Sequence, residues 1–396
     1  MLPLLDRSPR GRRRHAALVP LAAIAATAGV ATAPAPAGAA KAPAGQRAAA
    51  PHRLSFQAES ARVLRRIDRR LPKVSVGGVL RDANRATRPG VGALRPVPRG
   101  IKAAFSFDGG DSSTDKWYPQ GITGTGDATA SGLVDGRRAL AVSWYAKNPS
   151  DSGPGTIHPG VRISFITAED LSQARYRHVL LVVPRAGRRL YTHTSSHAGG
   201  IAWVGPLLYV AETGTGLSVY DTRRIYRVRT GSKRAMGCSG SACQAADYKY
   251  VMPRVGVYQQ RGAERTFSSV AVDRSTSSLV TGEYRADATG GIASRYPLGG
   301  DSRLAANAAG GATAPTGSWA VPVPRVQGIV TRGTRAYLST SGSDAHLYTG
   351  AWGASSLTAT DWPHGPEDLT YAPGSNRIYS VTEHPSARAV FAVDAG

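Results

Sequence analysis

The feature that most constrains this chain is one strand–turn–strand unit written several times. Gly365-Pro366-Glu367-Asp368-Leu369 opens a short apolar run, Pro373-Gly374-Ser375-Asn376 is turn chemistry, and Arg377–His384 is a second run that ends in an acid. The unit recurs as Ala198–Trp203 with Leu207–Glu212, and as Ser268–Val272 with Leu279–Tyr284. Further starts fall at Trp117–Thr123 and at Gln327. Short β-branched and aromatic runs bounded by Gly, Pro and Asn read as strands and turns. A repeated strand pair cannot bury its apolar face alone, so it must stack on its neighbours.

Taking Gln120, Gly199, Ser268, Gln327 and Glu367 as equivalent starts gives spacings of 79, 69, 59 and 40 residues. The last spacing suits a bare four-stranded blade. The others leave room for loops at 148–158, 232–246 and 299–318. The fifth unit is one strand short, because only 367–371, 377–381 and 388–393 remain. A short strand at 103–107, ahead of the first repeat, is free to supply that outer edge and close the ring; an unpaired edge would invite association. The expected fold is therefore all-β: a β-propeller over residues 101–396, with five blades, or six if degenerate repeats merge between 120 and 199 or between 199 and 268. A β-sandwich beside a second β domain is the alternative, and the repetition argues against it. Composition agrees, with 46 Gly, 26 Pro and 41% hydrophobic residues.

Upstream, residues 1–39 read as an export signal. Arg10, Arg12, Arg13 and Arg14 precede the apolar Ala16–Val30 run, and Ala37-Gly38-Ala39 is a small-residue cleavage site. The expected product is secreted, extracellular or associated with the cell wall, with no transmembrane domain. Residues 40–100 read as a disordered basic linker with one helix over 54–71, outside the propeller. Its stripe is Leu54, Ala58, Ala61, Leu64, Ile67 and Leu71, flanked by arginines, which suits either a helix lying against the main domain or a partly ordered linker, or contact with an anionic cell wall or lipid surface.

The net charge of +23 resembles a nucleic-acid signal until it is located. Residues 1–100 hold 19 of the 49 basic residues and 4 of the 26 acidic ones. The excess thus belongs mainly to the leader and linker, no nucleic-acid-binding motif accompanies it, and no nucleic-acid partner is expected. The two cysteines, Cys238 and Cys243, are too few for a four-ligand zinc site, and in an exported chain they predict a local disulfide.

In a propeller the starts of the innermost strands converge on the axis. Those positions, with the ends of the second strands, nominate Gln120, Trp144, His197, Ser268, Gln327, Glu367 and His384 as ligand-pocket residues. Glu212, Glu283, Glu367 and Glu383 are candidate oxygen ligands, calcium being the candidate cation, or alternatively caps for the neighbouring loops. Trp117, Tyr118, Trp144, Tyr145, Trp203, Trp319, Trp352 and Trp362 offer either a sugar-stacking wall or inter-blade packing. The chain contains no phosphate-cradling G-x-x-x-x-G-K-[ST] and no G-x-S-x-G elbow around Ser195. No catalytic residue is assigned.

Pro366-Glu367-Asp368-Leu369 followed by Arg377-Ile378-Tyr379 resembles the blade signature of gluconolactonase-like propellers, and residues 197–396 look like secreted propeller proteins of high-GC Gram-positive bacteria. The first resemblance implies a glutamate that helps hold a divalent cation, carried here by Glu367 alone, with Asp368 where that family has glycine. Three functions stay open on the sequence: a secreted propeller binding a small molecule, glycan or cell-envelope molecule at its axial face, a calcium-assisted extracellular hydrolase, and a display protein. A monomer is expected.

Overall fold

The computed structural model describes residues 52–147, 160–262, 266–287 and 291–396. They belong to the second of two compact units, Lys41–Gly396. The expected export signal and the loop at 148–158 lie outside the described residues.

The chain forms a β-propeller. Among the described residues, five antiparallel meanders of four strands follow one another, and each starts with an inner strand at one of the predicted repeats. The first is Trp117–Gly124, Ala139–Ala146, Val161–Thr167 and Arg175–Pro184. The second is Ile201–Val204, Leu207–Glu212, Gly216–Asp221 and the long strand Tyr250–Arg261. The third runs from Phe267–Asp273 to Gly317–Ala320, and the fourth from Val326–Arg332 to Thr358–Asp361. The fifth is Pro366–Ala372, Arg377–Thr382, Ala389–Asp394 and, as its outer strand, Ile101–Ser106. Ala389 pairs with Ser106 and Phe391 with Ala104, so the strand expected to close the ring does so.

The five inner strands touch in cyclic order, and the last returns to the first. Apolar side chains fill each junction between neighbouring meanders. Phe165 and Trp203 meet at 5.7 Å between the first and second. Tyr209 with Val270, Ile329 with Val280, Leu369 with Val330, and Val142 with Val381 serve the other junctions in turn. Each such buried side chain contributes about 1.5–3 kcal/mol, so the ring is held by its seams.

Residues 52–100 depart from expectation. The helix predicted over 54–71 splits into a strand, Arg53–Ala58, and a helix, Ala61–Arg70. The strand pairs with the free edge of Tyr250–Arg261, Phe56 opposite Tyr258, and this edge pairing outweighs the three- and four-residue stripe. Ser60 then caps the helix by accepting from the Val63 amide. Nor is the rest a disordered linker. Val76, Val79, Leu80 and Leu94 are buried, and Arg85–Ala86 pairs with the edge of the first meander. These residues bury enough apolar surface to order a segment that its charge alone suggested was unfolded. No helix among the described residues is long and apolar enough to cross a membrane.

Cys238 and Cys243 are bonded and face each other across the hairpin Met236–Ser239/Ala242–Ala245. Closing so short a loop restrains the unfolded chain by about 2 kcal/mol. The double serine variant is therefore expected to lose no more than about 2 kcal/mol in urea unfolding, with faster amide exchange in this hairpin and unchanged exchange in the inner strands. Uniformly faster exchange would show that the bond holds more than the hairpin.

Candidate functional site

The site is made by a repeated irregularity. In four of the five inner strands the register with the second strand slips at the same place: between Pro119 and Ile122, Phe267 and Ser269, Val326 and Gly328, and Pro366 and Leu369. A β-bulge frees residues from the ladder and re-aims their side chains. The freed residues include Gln120, Ser268, Gln327 and Glu367.

One residue further on, the inner strands pack backbone against backbone. A Cβ on Gly200 would lie 2.4 Å from the Val270 nitrogen, and one on Gly328 would lie 2.7 Å from the Leu369 nitrogen. Glycine is required there by close approach. Two residues in this layer are not glycine, Ser269 and, as the one acid, Asp368. Its carboxylate is fully buried, and Oδ2 accepts from the backbone N–H of Ile122 at 3.2 Å and of Ile201 at 3.0 Å. It pins the fifth inner strand to the first and second. Burial pushes its pKa well above the usual carboxylate range, against the lowering effect of backbone donors that also include Leu369.

Above this plug is a mouth rich in acceptors. Gln120 donates through Nε2 to Glu383 Oε2 at 3.0 Å and to the Pro119 carbonyl at 2.9 Å, while its own Oε1 is buried with no protein donor. Gln327 lies 3.5 Å from Glu367 Oε1. Glu367 is buried, and burial followed by the charges of Glu383 and Asp368 pushes its pKa well up. Glu383 is also raised, mainly by burial, with His384, Gln120, Lys147 and Arg388 pulling the other way. His384 Nδ1 stands 3.8 Å from Glu383 Oε1. Beneath the mouth Arg388 donates to the carbonyls of Glu383, Asp111 and Thr114 at 2.7, 2.9 and 2.6 Å, fixing the loop that carries Glu383.

An aromatic step flanks these acceptors. The rings of Tyr145 and His197 are 4.5 Å apart, those of Tyr118 and Tyr145 are 5.9 Å apart, and Lys147 sits over Tyr118 at 4.7 Å. Tyr118 and Tyr145 are half-buried and His197 is exposed. The Tyr145 hydroxyl is pushed up by burial, then by the charges of Glu383 and Glu367. His197 is pulled down by the crowding of its ring, although the residue as a whole reaches solvent.

The other nominated residues sit elsewhere. Ser268 donates to the carbonyls of Gly282 and Val326, joining the third and fourth meanders. Trp144 is fully buried and donates to Ser164. Trp203 and Trp362 are buried, and Trp319 packs on Trp352. Glu212 accepts from Ser218 at 2.5 Å, and Glu283 accepts from the Ile292 amide at 2.8 Å within its own meander. Of the four nominated glutamates, Glu367 and Glu383 are the neighbouring pair. Among the described residues no group of three or more His, Cys, Asp or Glu is placed to hold a metal ion.

Sequence reasoning missed a second polar cluster, because its members lie far apart in the chain. Asp111 accepts from Arg162 at 2.6 Å, Tyr176 at 2.7 Å, His178 Nε2 at 2.9 Å and Arg85 at 3.0 Å. Ser164 lies 2.9 Å from His178 Nδ1. Burial and then Arg162 pull the His178 pKa down to about 3, so it is neutral at pH 7. Protons then run one way: Trp144 to Ser164, Ser164 to His178, His178 to Asp111. This relay has serine, histidine and aspartate in order, yet Ser164 is fully buried with its oxygen engaged by Trp144, so no substrate carbonyl reaches it. The cluster is structural.

A cleft of about 780 Å³ also opens beyond the far ends of the inner strands, lined by Asp127, Arg138, Arg274 and Tyr371 among others. It is separate from the acceptor-rich mouth, which holds the convergent polar groups.

No protein-family model matches this chain, and no curated protein matches it. Among solved structures it is similar to Kuenenia stuttgartiensis hydrazine synthase, at 12% identity over 69% of this chain and 58% of that one, with a TM-score of 0.29. It is similar to the β-propeller domain of Myceliophteria thermophila Cps50 (Swd1), at 9% identity over 71% of this chain and 98% of that one, with a TM-score of 0.35. Chaetomium thermophilum Raptor matches at 10% identity over 84% of this chain and 31% of that one, also at 0.35. The chain thus spans less than two thirds of the hydrazine synthase and Raptor chains.

Proposed function

We propose that this protein is a secreted five-bladed propeller that binds a polyhydroxylated ligand, of the glycan class, at its axial mouth. The observation that carries this reading is the excess of acceptors beside an aromatic step. Glu383 is part-exposed at the mouth, while behind it Gln120 Oε1 is buried without a protein donor and Glu367 is buried beside the pair, so a ligand gains by bringing donors of its own to Glu383. Sugar hydroxyls are such donors, and the exposed His197 ring, tilted against Tyr145, offers a face for the apolar side of a sugar ring. Gln120 and Gln327 fix orientation through amides that both give and accept.

A glycan array with the wild-type protein, followed by titration calorimetry of the strongest binder, tests this. Tyr145→Ala and Glu383→Gln are each expected to weaken binding by about tenfold, on the order of the 1.4 kcal/mol carried by one good contact. Full binding by both variants would remove the mouth as the site. A hydrolase of lactonase type is the second reading, favoured by the neighbouring Glu367 and Glu383 alone. Turnover of the bound sugar or a lactone, abolished by Glu367→Gln, would promote it over simple binding.

A further inference from the structure

The most concentrated positive charge among the described residues surrounds the helix Ala61–Arg70, on the outside of the propeller. Val63 and Ile67 pack under the helix in a cluster with Leu190, Tyr226, Val228 and both cysteines, and Leu64 is buried as well. Its outer side presents Arg62, Arg65, Arg69 and Arg70, all exposed. The helix has no acidic residue in its first turn. Asp68, its one acid, is engaged by Lys73, Arg224 and Tyr226.

Two further arginine groups meet the same hairpin. Arg185, Arg188 and Arg189 are exposed on the turn between Pro184 and Tyr191, and the Arg189 carbonyl accepts from the Cys238 amide at 2.8 Å. Arg227 and Arg229 are exposed on the next segment, where the Arg229 amide donates to the Cys243 carbonyl at 2.9 Å and the Arg227 amide to Pro72 at 3.0 Å. Arg70 completes the set by donating to the Gly240 carbonyl at the hairpin tip. The disulfide hairpin is therefore the hub on which three arginine groups are mounted. Among the described residues no ion pair is formed by the arginines at 62, 65 and 69, by those of the turn, or by Arg227 and Arg229.

We infer that this face binds a linear polymer bearing repeated oxyanions, phosphate or carboxylate. Unpaired guanidinium groups held together repel one another, and each offers a planar fork that matches an oxyanion in two bonds. The groups are spread over three segments and do not converge in a cavity, so a chain of anions fits them where a single small anion does not. Insertion into lipid does not fit, because the apolar side of the helix is already buried in the protein. This surface is independent of the axial mouth.

The test measures binding of the full secreted domain to long-chain inorganic polyphosphate and to polygalacturonate between about 50 and 200 mM salt. Binding is expected to fall steeply with salt, since each neutralised anion releases counterions. The triple variant R62Q/R65Q/R69Q is expected to bind at least about tenfold more weakly at low salt and to flatten the salt slope by about 2. A second variant, R185Q/R188Q/R189Q, should do the same. A control with equal charge removed elsewhere, R88Q/R99Q/K116Q, should stay within about twofold of wild type. Tighter binding of one polymer identifies the anion, phosphate or carboxylate. Equal losses in the control, absence of binding to either polymer, or comparable binding to phosphatidylglycerol vesicles would overturn the inference. The melting midpoint of each variant confirms that it is folded.

Discussion

Asp368→Ala is expected to lower the unfolding free energy by about 4 kcal/mol. The substitution strips the N–H groups of Ile122 and Ile201 of their acceptor on a dry axis, and each buried donor left alone costs about 1–3 kcal/mol. Asp368→Asn keeps a carbonyl oxygen and removes only the charge, so its effect depends on pH. The folded pKa of Asp368 is raised, so the folded state holds its proton more tightly than the unfolded chain. Stability contributed this way is present in acid and declines as pH rises above the unfolded value near 3.8. Asp127, whose pKa burial raises to about 6, acts with the same sign between about pH 4 and 6. Relative to wild type, Asp368→Asn should therefore gain stability between pH 4.5 and pH 8, while Asp368→Ala is weaker at both. Urea midpoints at the two pH values decide this. Equal behaviour of the two variants would show that the axial amides do not depend on residue 368.

Asp111→Ala should cost about 3–5 kcal/mol, for the opposite electrostatic reason. Burial alone would raise this carboxyl, but Arg162, His178 and Tyr176 outweigh burial and hold it well below the usual range. Its contribution is then complete above the unfolded pKa near 3.8 and is lost as pH falls below that value. Removing it leaves Arg162 almost fully buried without its anion. The double variant Asp111→Leu/Arg162→Met should recover much of the loss, because a neutral pair needs no compensation. Guanidinium unfolding of the single and double variants gives the coupling directly. A double variant as unstable as Asp111→Ala would mean that Tyr176, His178 and Arg85, not Arg162, need the carboxylate.

Repetition made the ring readable. The inner strands begin where the starts at Gln120, Ser268, Gln327 and Glu367 place them, because alternation and turn residues are local signals. The closing strand was readable from a count of strands in the fifth unit. The two buried polar centres were not. Asp111 reaches partners at 162, 176 and 178, and Asp368 reaches 122 and 201, so nothing local marks either pair. One clue to Asp368 was present: it stands in line with Gly121, Gly200 and Gly328, at each of which a Cβ would have no room. Glu212 and Glu283 end a second strand and Glu383 follows one, and Glu383 alone gains an acidic neighbour because its inner strand carries Glu367 at the bulge where others carry Gln120, Ser268 or Gln327. At the N-terminal side, Leu54 and Ala58 fit a helical stripe and one face of a strand equally well, and the edge of Tyr250–Arg261 decided between them.

The pairing of Ile101–Ser106 with Ala389–Asp394 sets an order of events during synthesis. The first of these strands leaves the ribosome long before its partner exists, and until then Ile101 to Phe105 carries unpaired amides beside apolar side chains. The seam cannot form on a growing chain, so the ring closes as a late, long-range step after translation has passed Asp394. A polypeptide whose ring stays open until Ala389–Asp394 is made remains threadable up to that point. Premature release before Ala389 would leave two sheet edges seeking partners on other copies.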